Sequence, residues 1–147
     1  MSDLALAERV VELLGGHEPI AVGEPNATRW RSALAASGAR VARDAEPVPS
    51  AMVCFLGEPG DTVRRVERLD GLRARLEPGG RLVVLDHNQP RRRPGRVGAT
   101  LWLWRQGLGP ARARYPTARE VAAHGFVVET LHLEAGERVQ IVVARLR

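Results

Sequence analysis

Two uninterrupted apolar runs constrain the fold of this chain more than any other feature. The first is Ser50–Leu56 (SAMVCFL), and the second is the strand Arg81–Leu85 (RLVVL), in which four apolar residues follow the arginine. A strand that is apolar at successive positions has to be covered on both faces, which is typical of central strands in a parallel sheet. Parallel strands are joined by right-handed crossovers that place helices on both faces. The two runs therefore predict an α/β fold.

Helix and strand patterns alternate along the rest of the chain. Helices are predicted at 2–14, 26–38, 61–76, 97–108 and 117–124, and further strands at 19–23, 39–43, 126–133 and 138–146. The strand at 39–43 is short and charged, and the last two strands are separated by a hairpin-length connection. This order predicts one domain over residues 1–147, with a mostly parallel sheet that ends in an antiparallel hairpin.

Three local signals refine the predicted helices. Val63, Val66 and Leu69 are spaced to face the core from the third helix, and Asp70-Gly71 is expected to interrupt that helix. Thr117-Ala118-Arg119-Glu120 has the pattern of a capping box, in which the Thr and Glu side chains each bond the other residue's backbone N–H.

The positive charge is confined to one segment. All 22 basic residues are arginines, against 17 acids, which gives a formal net charge of +5. The segment from His87 to Arg119 holds eight arginines and no carboxylate, so the remainder has 14 arginines against 17 acids and a net charge of −3. The charge therefore describes one surface of the protein, and the chain as a whole does not read as a generally basic nucleic-acid-binding protein.

Composition excludes several classes of protein. Cys54 is the single cysteine, which excludes an internal disulfide framework and a multi-cysteine zinc site. No apolar run reaches the roughly 18–20 residues needed to cross a bilayer, and the first residues lack the basic start of a signal peptide. No His, Cys, Asp or Glu spacing suggests a metal site. We expect a cytoplasmic protein without a metal or membrane partner.

In a sheet of this kind, ligands bind at the carboxyl ends of the strands, near the point where the strand order reverses. Four groups of residues follow the predicted strands: Gly23-Glu24-Pro25-Asn26, Asp44, Gly57-Glu58-Pro59 and Asp86-His87-Asn88. A small-molecule site is expected at this edge. The first group also fits an ordinary strand-to-helix turn in which Asn26 or Thr28 caps the helix, and Asp44 also fits a surface turn.

Three motifs follow one another in the second half of the chain. They are Leu76-Glu77-Pro78-Gly79-Gly80-Arg81-Leu82, then Thr117-Ala118-Arg119-Glu120, and then Gly125-Phe126 with the final hairpin. In this order they resemble the carboxyl-terminal half of class I S-adenosylmethionine-dependent methyltransferases. The resemblance covers roughly residues 50–147 and implies a Rossmann-like methyltransferase fold. It also implies S-adenosylmethionine as cofactor, held by Gly23, Glu24, Asp44 and Gly57.

The first half departs from the family pattern at the cofactor loop. When Gly23 is matched to the first loop glycine, Ala21 stands at the acidic position, and Pro25 and Ala27 stand where later glycines belong. Proline lacks the N–H donor, and alanine adds a Cβ where the backbone has to approach the ligand. Asp44 lies 21 residues after Gly23, a spacing suited to an acid that binds ribose hydroxyls. The chain from Asp44 to Ser50 is too short for the usual helix and strand, so one helix–strand unit is expected to be missing.

His87 and the arginines after it are the remaining candidates. His87 is the candidate general base for an acceptor that has to lose a proton, although it also fits a polar loop that satisfies backbone groups. Arg91, Arg92, Arg93 and Arg96 are candidates for binding an anionic substrate through bidentate contacts, and a solvated loop is the alternative. Trp102 and Trp104 lie two residues apart, so one is expected in the core and the other at an edge or in a homodimer contact.

Three functions remain open from the sequence. The first is a methyltransferase with the cofactor near Gly23 and His87 as base. The second is a non-catalytic relative, a pseudoenzyme that works as a binding or assembly module. The third is a nucleic-acid-binding protein that uses the loop from Arg91 to Arg96 with an exposed tryptophan for base stacking.

Overall fold

The computed structural model describes residues 2–43, 47–105, 107–110 and 113–147. Within these ranges there are five helices and five strands. The helices are α1 (Asp3–Leu14), α2 (Ala27–Ala36), α3 (Thr62–Arg75), α4 (Arg93–Arg105) and α5 (Thr117–Ala123). The strands are β1 (Ile20–Val22), β2 (Val48–Cys54), β3 (Leu76–His87), β4 (Phe126–Glu134) and β5 (Val139–Leu146). None of the helices in these ranges is long and apolar enough to span a membrane.

The five strands form one mixed sheet in the order β1-β2-β3-β5-β4. β1, β2 and β3 are parallel, while β5 runs antiparallel to both β3 and β4. The predicted fold class is confirmed, including the C-terminal hairpin at the sheet edge.

The connection from β1 to β2 shows where the strand order reverses. The predicted strand at 39–43 is reduced to a single parallel bridge between Val41 and Ile20. Two hydrogen bonds hold it, from Ile20 N to Arg40 O and from Ala42 N to Ile20 O. Val41 thus lies beside one edge of β1, and β2, which follows it in the chain, pairs with the other edge of β1. A ligand crevice is expected between β1 and β2 for this reason.

The sheet separates two hydrophobic cores. On one face, α1, α2 and α4 cover strand residues such as Val83 and Leu85; on the other, α3 and α5 cover Leu82 and Val84. Alternate residues of β3 therefore enter different cores, as the pleat requires. The two polar residues at the end of β3 follow the same alternation, so Asp86 and His87 lie on opposite faces.

Three predictions about the helices were wrong. The helix α3 continues through Asp70-Gly71 without interruption, and Val63 is 67% exposed instead of facing the core. Arg65, Leu69 and Leu72 are the buried residues of α3, because tertiary contacts favour that face. The helix α4 begins at Arg93, four residues earlier than predicted, with Pro94 tolerated in its first turn.

The predicted capping box also does not form. Thr117 is the first residue of α5, and the residue before it, Pro116, makes no side-chain capping bond. The Thr117 hydroxyl donates to Asp86, and Glu120 binds Arg65 instead of a backbone N–H. Tertiary partners have taken both side chains away from their local role.

Candidate ligand crevice at the carboxyl edge of the sheet

A crevice of about 290 Å³ lies at the carboxyl ends of β1 and β2. Its walls come from the two loops after these strands, from the start of α3 and from the segment after α4. The lining residues are Pro25, Phe55, Gly57, Glu58, Asp61, Arg64, Arg68 and Leu108. The structure therefore brings the loops containing Gly23-Glu24 and Gly57 close together. Of the predicted cofactor residues that the structure describes, Gly57 lines the crevice, and Gly23 and Glu24 do not. Its volume is at the lower limit of ordinary ligand pockets, about 300 Å³.

Gly23 is packed against the protein itself. A Cβ added at Gly23 would lie 2.9 Å from Cδ2 of Leu72 on α3. The backbone N–H of Gly23 donates a hydrogen bond to the carbonyl oxygen of Met52 on β2. The resemblance to methyltransferases implies that the absence of a Cβ at this position lets the backbone approach the cofactor. In this chain the same space is occupied by a leucine side chain.

Gly57 is held by two arginines of α3. Its φ of +113° lies in the region that favours glycine, and a Cβ there would lie 2.9 Å from Nη1 of Arg68. Arg65 donates through Nη1 to the Gly57 carbonyl, and Arg68 donates to the Leu56 carbonyl at 2.7 Å. The loop after β2 is thus fixed by two side chains of α3, of which Arg68 lines the crevice.

The crevice carries both charges. Burial, with the neighbouring charges of Arg64 and Arg65, lowers the pKa of Arg68, while Asp61 and the exposed Glu24 act in the opposite direction. Arg64 lies 3.3 Å from Asp61 in an exposed ion pair. Among the charged residues that line this crevice, Arg64 and Asp61 thus pair with each other, and Arg68 binds a backbone carbonyl.

His87 is completely buried at the end of β3. Its ring packs edge-on against Tyr115 with 5.1 Å between centroids, and Tyr115 packs in turn against Phe55. Neither ring nitrogen has a hydrogen-bond partner among the described residues. Burial lowers the pKa of His87, and the Gln89 side chain opposes this shift. A neutral imidazole is a suitable base, but the aromatic residues separate it from solvent, and it does not line the crevice.

Asp86 belongs to a buried ion network on the opposite face of the sheet. Its Oδ2 lies 3.0 Å from Nη2 of Arg65 and accepts a 2.6 Å hydrogen bond from Thr117. The same guanidinium binds Glu120 at 2.5 Å. Burial raises the pKa of Asp86 to about 6, with the Arg65 charge acting in the opposite direction. The two carboxylates and the guanidinium group are therefore all paired, and the network connects β3, α3 and α5.

Sequence reasoning missed Arg65, although a signal was present. Arg65, Leu69 and Leu72 follow the i, i+4, i+7 spacing of one helix face, so the apolar face of α3 includes an arginine. An arginine at such a position needs a buried acid, and Asp86 at the end of the apolar strand Arg81–Leu85 is a candidate partner.

The arginines after β3 lie apart from the crevice. Arg91 and Arg92 line a cavity of about 580 Å³ together with Pro90, Pro94, Gly95, Gly136 and Glu137. The hairpin turn after β4 forms the other wall, so this cavity is at the β5 end of the same sheet edge. Arg93 and Arg96 are exposed in the first turn of α4. The structure therefore does not join the predicted anion-binding residues to the predicted cofactor residues.

The two neighbouring tryptophans point to different sides of α4. Trp102 is half-buried and packs on Phe55 with 4.5 Å between ring centroids, whereas Trp104 is 60% exposed. The two side chains are separated as predicted, but Trp102 packs against the core without being fully buried, and a homodimer contact at Trp104 stays a prediction. Cys54 is buried, and burial raises the pKa of its thiol, so it is not a reactive nucleophile. Within the described ranges, no group of three potential ligands could hold a metal ion.

The residues present do not fit S-adenosylmethionine in the way that the resemblance implies. Leu72 occupies the space beside Gly23, Pro25 offers no N–H, and two arginines of α3 hold the loop at Gly57. Asp44, the candidate for the ribose hydroxyls, lies outside the described residues.

Solved structures with a similar backbone include several methyltransferases. Mitomycin 7-O-methyltransferase MmcR has a TM-score of 0.61 at 17% identity, over 99% of this chain and 54% of that chain. The S-adenosylmethionine-dependent methyltransferase SibL has a TM-score of 0.55 at 17% identity, over 98% of this chain and 48% of that chain. A possible exported protein from Bordetella parapertussis has a TM-score of 0.61 at 16% identity, over 97% of this chain and 66% of that chain.

These likenesses are structural. No protein-family model and no curated protein matches the sequence. The chain spans about half the length of the two methyltransferases and 66% of the Bordetella protein. At these identities the comparison establishes the fold, and this chain has a methyltransferase-like fold.

Proposed function

We propose that this chain is a methyltransferase-like protein that does not transfer methyl groups and works as a binding module. The proposal combines the fold with a crevice in which the chain's own side chains take the places that a cofactor would need. Methyl transfer requires the acceptor and the sulfonium to be held in line, so a domain that does not hold the cofactor gives no such alignment.

The observation that carries the proposal is the contact between Gly23 and Leu72. The 2.9 Å distance from the position of an added Cβ to the leucine leaves no space beside the glycine for a ligand. The burial of His87 supports the same conclusion, because a general base has to come within hydrogen-bonding reach of the proton that it removes.

Calorimetric titration with S-adenosylmethionine and S-adenosylhomocysteine tests the proposal. We expect no heat of binding with either compound at near-millimolar concentration. A methyltransferase of the same fold, titrated in parallel, is the positive control. Saturable heat in the micromolar range would refute the proposal, and incubation with labelled S-adenosylmethionine and candidate acceptors would then identify the activity.

A double-mutant cycle tests whether Leu72 fills the space beside Gly23. In the wild-type background, Gly23→Ala is expected to lower the free energy of unfolding by about 1–3 kcal/mol, because the new methyl group meets the Leu72 side chain. Leu72→Ala alone is expected to cost about 2–5 kcal/mol as a core truncation. Combined with Leu72→Ala, the Gly23→Ala change should cost nothing further, since the space is then free. Urea unfolding measures each step, and strictly additive costs would contradict the packing argument.

A further inference from the structure

An exposed apolar ridge runs along α4. Val97, Leu101 and Trp104 are 64%, 57% and 60% exposed, and their i, i+4, i+7 spacing places them on one face of the helix. The opposite face of α4 contributes Ala99 and Leu103 to the core. The helix is therefore fixed to the domain by one face, while the three apolar side chains of its outer face are mostly exposed.

Arginines border this ridge on both sides. Arg93 and Arg96 lie in the first turn of α4, and Arg105 ends the helix with its side chain 66% exposed. Asp3 lies 3.8 Å from Arg105, and the same Asp3 also binds Arg29. The sequence from His87 to Arg119 contributes no carboxylate to this surface, and Arg138 also lines it beside Leu101, so arginines outnumber acids around the ridge.

This combination disfavours a second copy of the chain as the occupant. A symmetric contact through α4 would bring two such arginine-rich surfaces together, and like charges repel at close range. A stable protein interface also buries about 800 Å² on each partner, and three side chains supply only a fraction of that area. A fluid anionic surface needs neither a matching groove nor a large area.

We propose that the outer face of α4 binds the surface of an anionic lipid bilayer. Val97, Leu101 and Trp104 enter the boundary between headgroups and acyl chains, and Arg93, Arg96 and Arg105 contact lipid phosphates. An apolar face flanked by basic residues, with a tryptophan at the polar boundary, is typical of helices that lie in this interface. The inference concerns binding to a membrane surface without crossing it. It rests on the proposed binding role and names the partner.

Co-sedimentation with lipid vesicles tests this inference. The intact chain is mixed with vesicles of phosphatidylglycerol and phosphatidylcholine, or of phosphatidylcholine alone, at low and at high salt. We expect binding to the anionic vesicles only, and weaker binding at high salt. Arg93→Gln is expected to lower the partition coefficient about fivefold, because each basic residue near an anionic membrane surface strengthens binding by about that factor.

Two matched variants separate the ridge from a general charge effect. Leu101→Asp and Val63→Asp each place a carboxylate at an exposed apolar position, but Val63 lies on α3, on the opposite face of the sheet. Leu101→Asp should lower the partition coefficient at least about tenfold, and Val63→Asp should leave it close to that of the wild type. Circular dichroism confirms that both variants fold.

Four results would overturn the inference. The first is no sedimentation with either kind of vesicle, and the second is an equal loss of vesicle binding for the two aspartate variants. The third is a dimer of the chain that dissociates only in Leu101→Asp. The fourth is binding of single-stranded DNA that depends on the ridge, without binding to vesicles. If vesicles are not bound and S-adenosylmethionine also gives no heat, the proposed absence of methyl transfer stands and the membrane surface as partner is wrong. If S-adenosylmethionine binds, the proposed function fails whatever the vesicles show.

Discussion

Arg65 has the most consequential side chain in the described part of the protein. It is 1% exposed and binds Asp86 on β3 and Glu120 on α5 from its position on α3. A buried ion pair of this kind contributes little relative to apolar residues of the same size, but removing one partner leaves an uncompensated charge. The network thus makes the packing of three elements depend on one residue.

Removing the Arg65 guanidinium should therefore be costly. Arg65→Met is expected to lower the free energy of unfolding by about 3–5 kcal/mol, because Asp86 remains buried without its cation. Arg64→Met is the matched control on the same helix, with an exposed side chain and one exposed ion pair, and it should cost less than about 1 kcal/mol. Urea unfolding at neutral pH compares the two, and similar costs would show that the network is unimportant.

His87 gives a prediction about pH. Because burial lowers its pKa in the folded state, the unfolded chain takes up a proton first as the pH falls below its ordinary value of about 6.5. The stability that neutral His87 contributes is present above that pH and is lost below it. We expect the wild type to lose stability relative to His87→Phe by up to about 1.4 kcal/mol per pH unit below this point.

Urea unfolding of both proteins at pH values between neutral and mildly acidic measures this difference. Comparing the wild type with His87→Phe cancels the titration of Asp86, whose raised pKa acts in the opposite direction. A difference that stays constant with pH would mean that His87 is protonated equally in the folded and unfolded chains.

Helix α3 shows how a local signal can mislead. Asp70-Gly71 predicted an interruption, but the helix continues because Leu69 and Leu72 on either side are buried in the core beneath the sheet. Gly71 itself is exposed, and a Cβ added there would meet nothing within 4 Å. The glycine therefore weakens a helix that packing maintains.

Gly71→Ala should accordingly stabilise the protein by about 0.5–1 kcal/mol, the usual difference between the two residues inside a helix. Gly38→Ala is the matched control, since its added Cβ also meets nothing, but its φ is +86°. That change should destabilise by about 1 kcal/mol or more, because L-residues disfavour the left-handed region. Thermal unfolding of both variants measures the shifts, and a destabilising Gly71→Ala would contradict the helix interior seen here.

The sheet organises the described part of the chain through two hydrophobic cores and the buried ion network of Arg65. Residues of β2, β3 and β5 contribute to both cores, so neither core can form without the sheet. The sequence predicted one domain over residues 1–147, and the shared strands argue that the chain unfolds as one cooperative unit.

Two probes that report different parts of the protein test this cooperativity. Trp30 on α2 is 1% exposed, and Trp102 on α4 packs against the same core, so tryptophan fluorescence follows that face of the sheet. Far-UV circular dichroism follows all helices and strands. The two urea transitions should coincide, as two-state unfolding requires. Separate midpoints would show that the two faces of the sheet unfold independently.

The amino-acid pattern alone was sufficient for the α/β class, the buried strands β2 and β3, and the C-terminal hairpin. These features depend on which residues are apolar and at what spacing, and that information is local. Trp102 and Trp104 were separated correctly for the same reason, because helical geometry fixes the relation between neighbouring side chains.

The character of the candidate site was decided only by tertiary structure. Leu72 filling the space beside Gly23, Arg65 meeting Asp86, and Tyr115 covering His87 are contacts between residues far apart in the sequence. Local pattern placed Gly23 and His87 at strand ends but carried no information about which distant side chain would occupy the space next to them. Because protein interiors are densely packed, the space beside each of these residues is filled by whichever side chain the fold brings there.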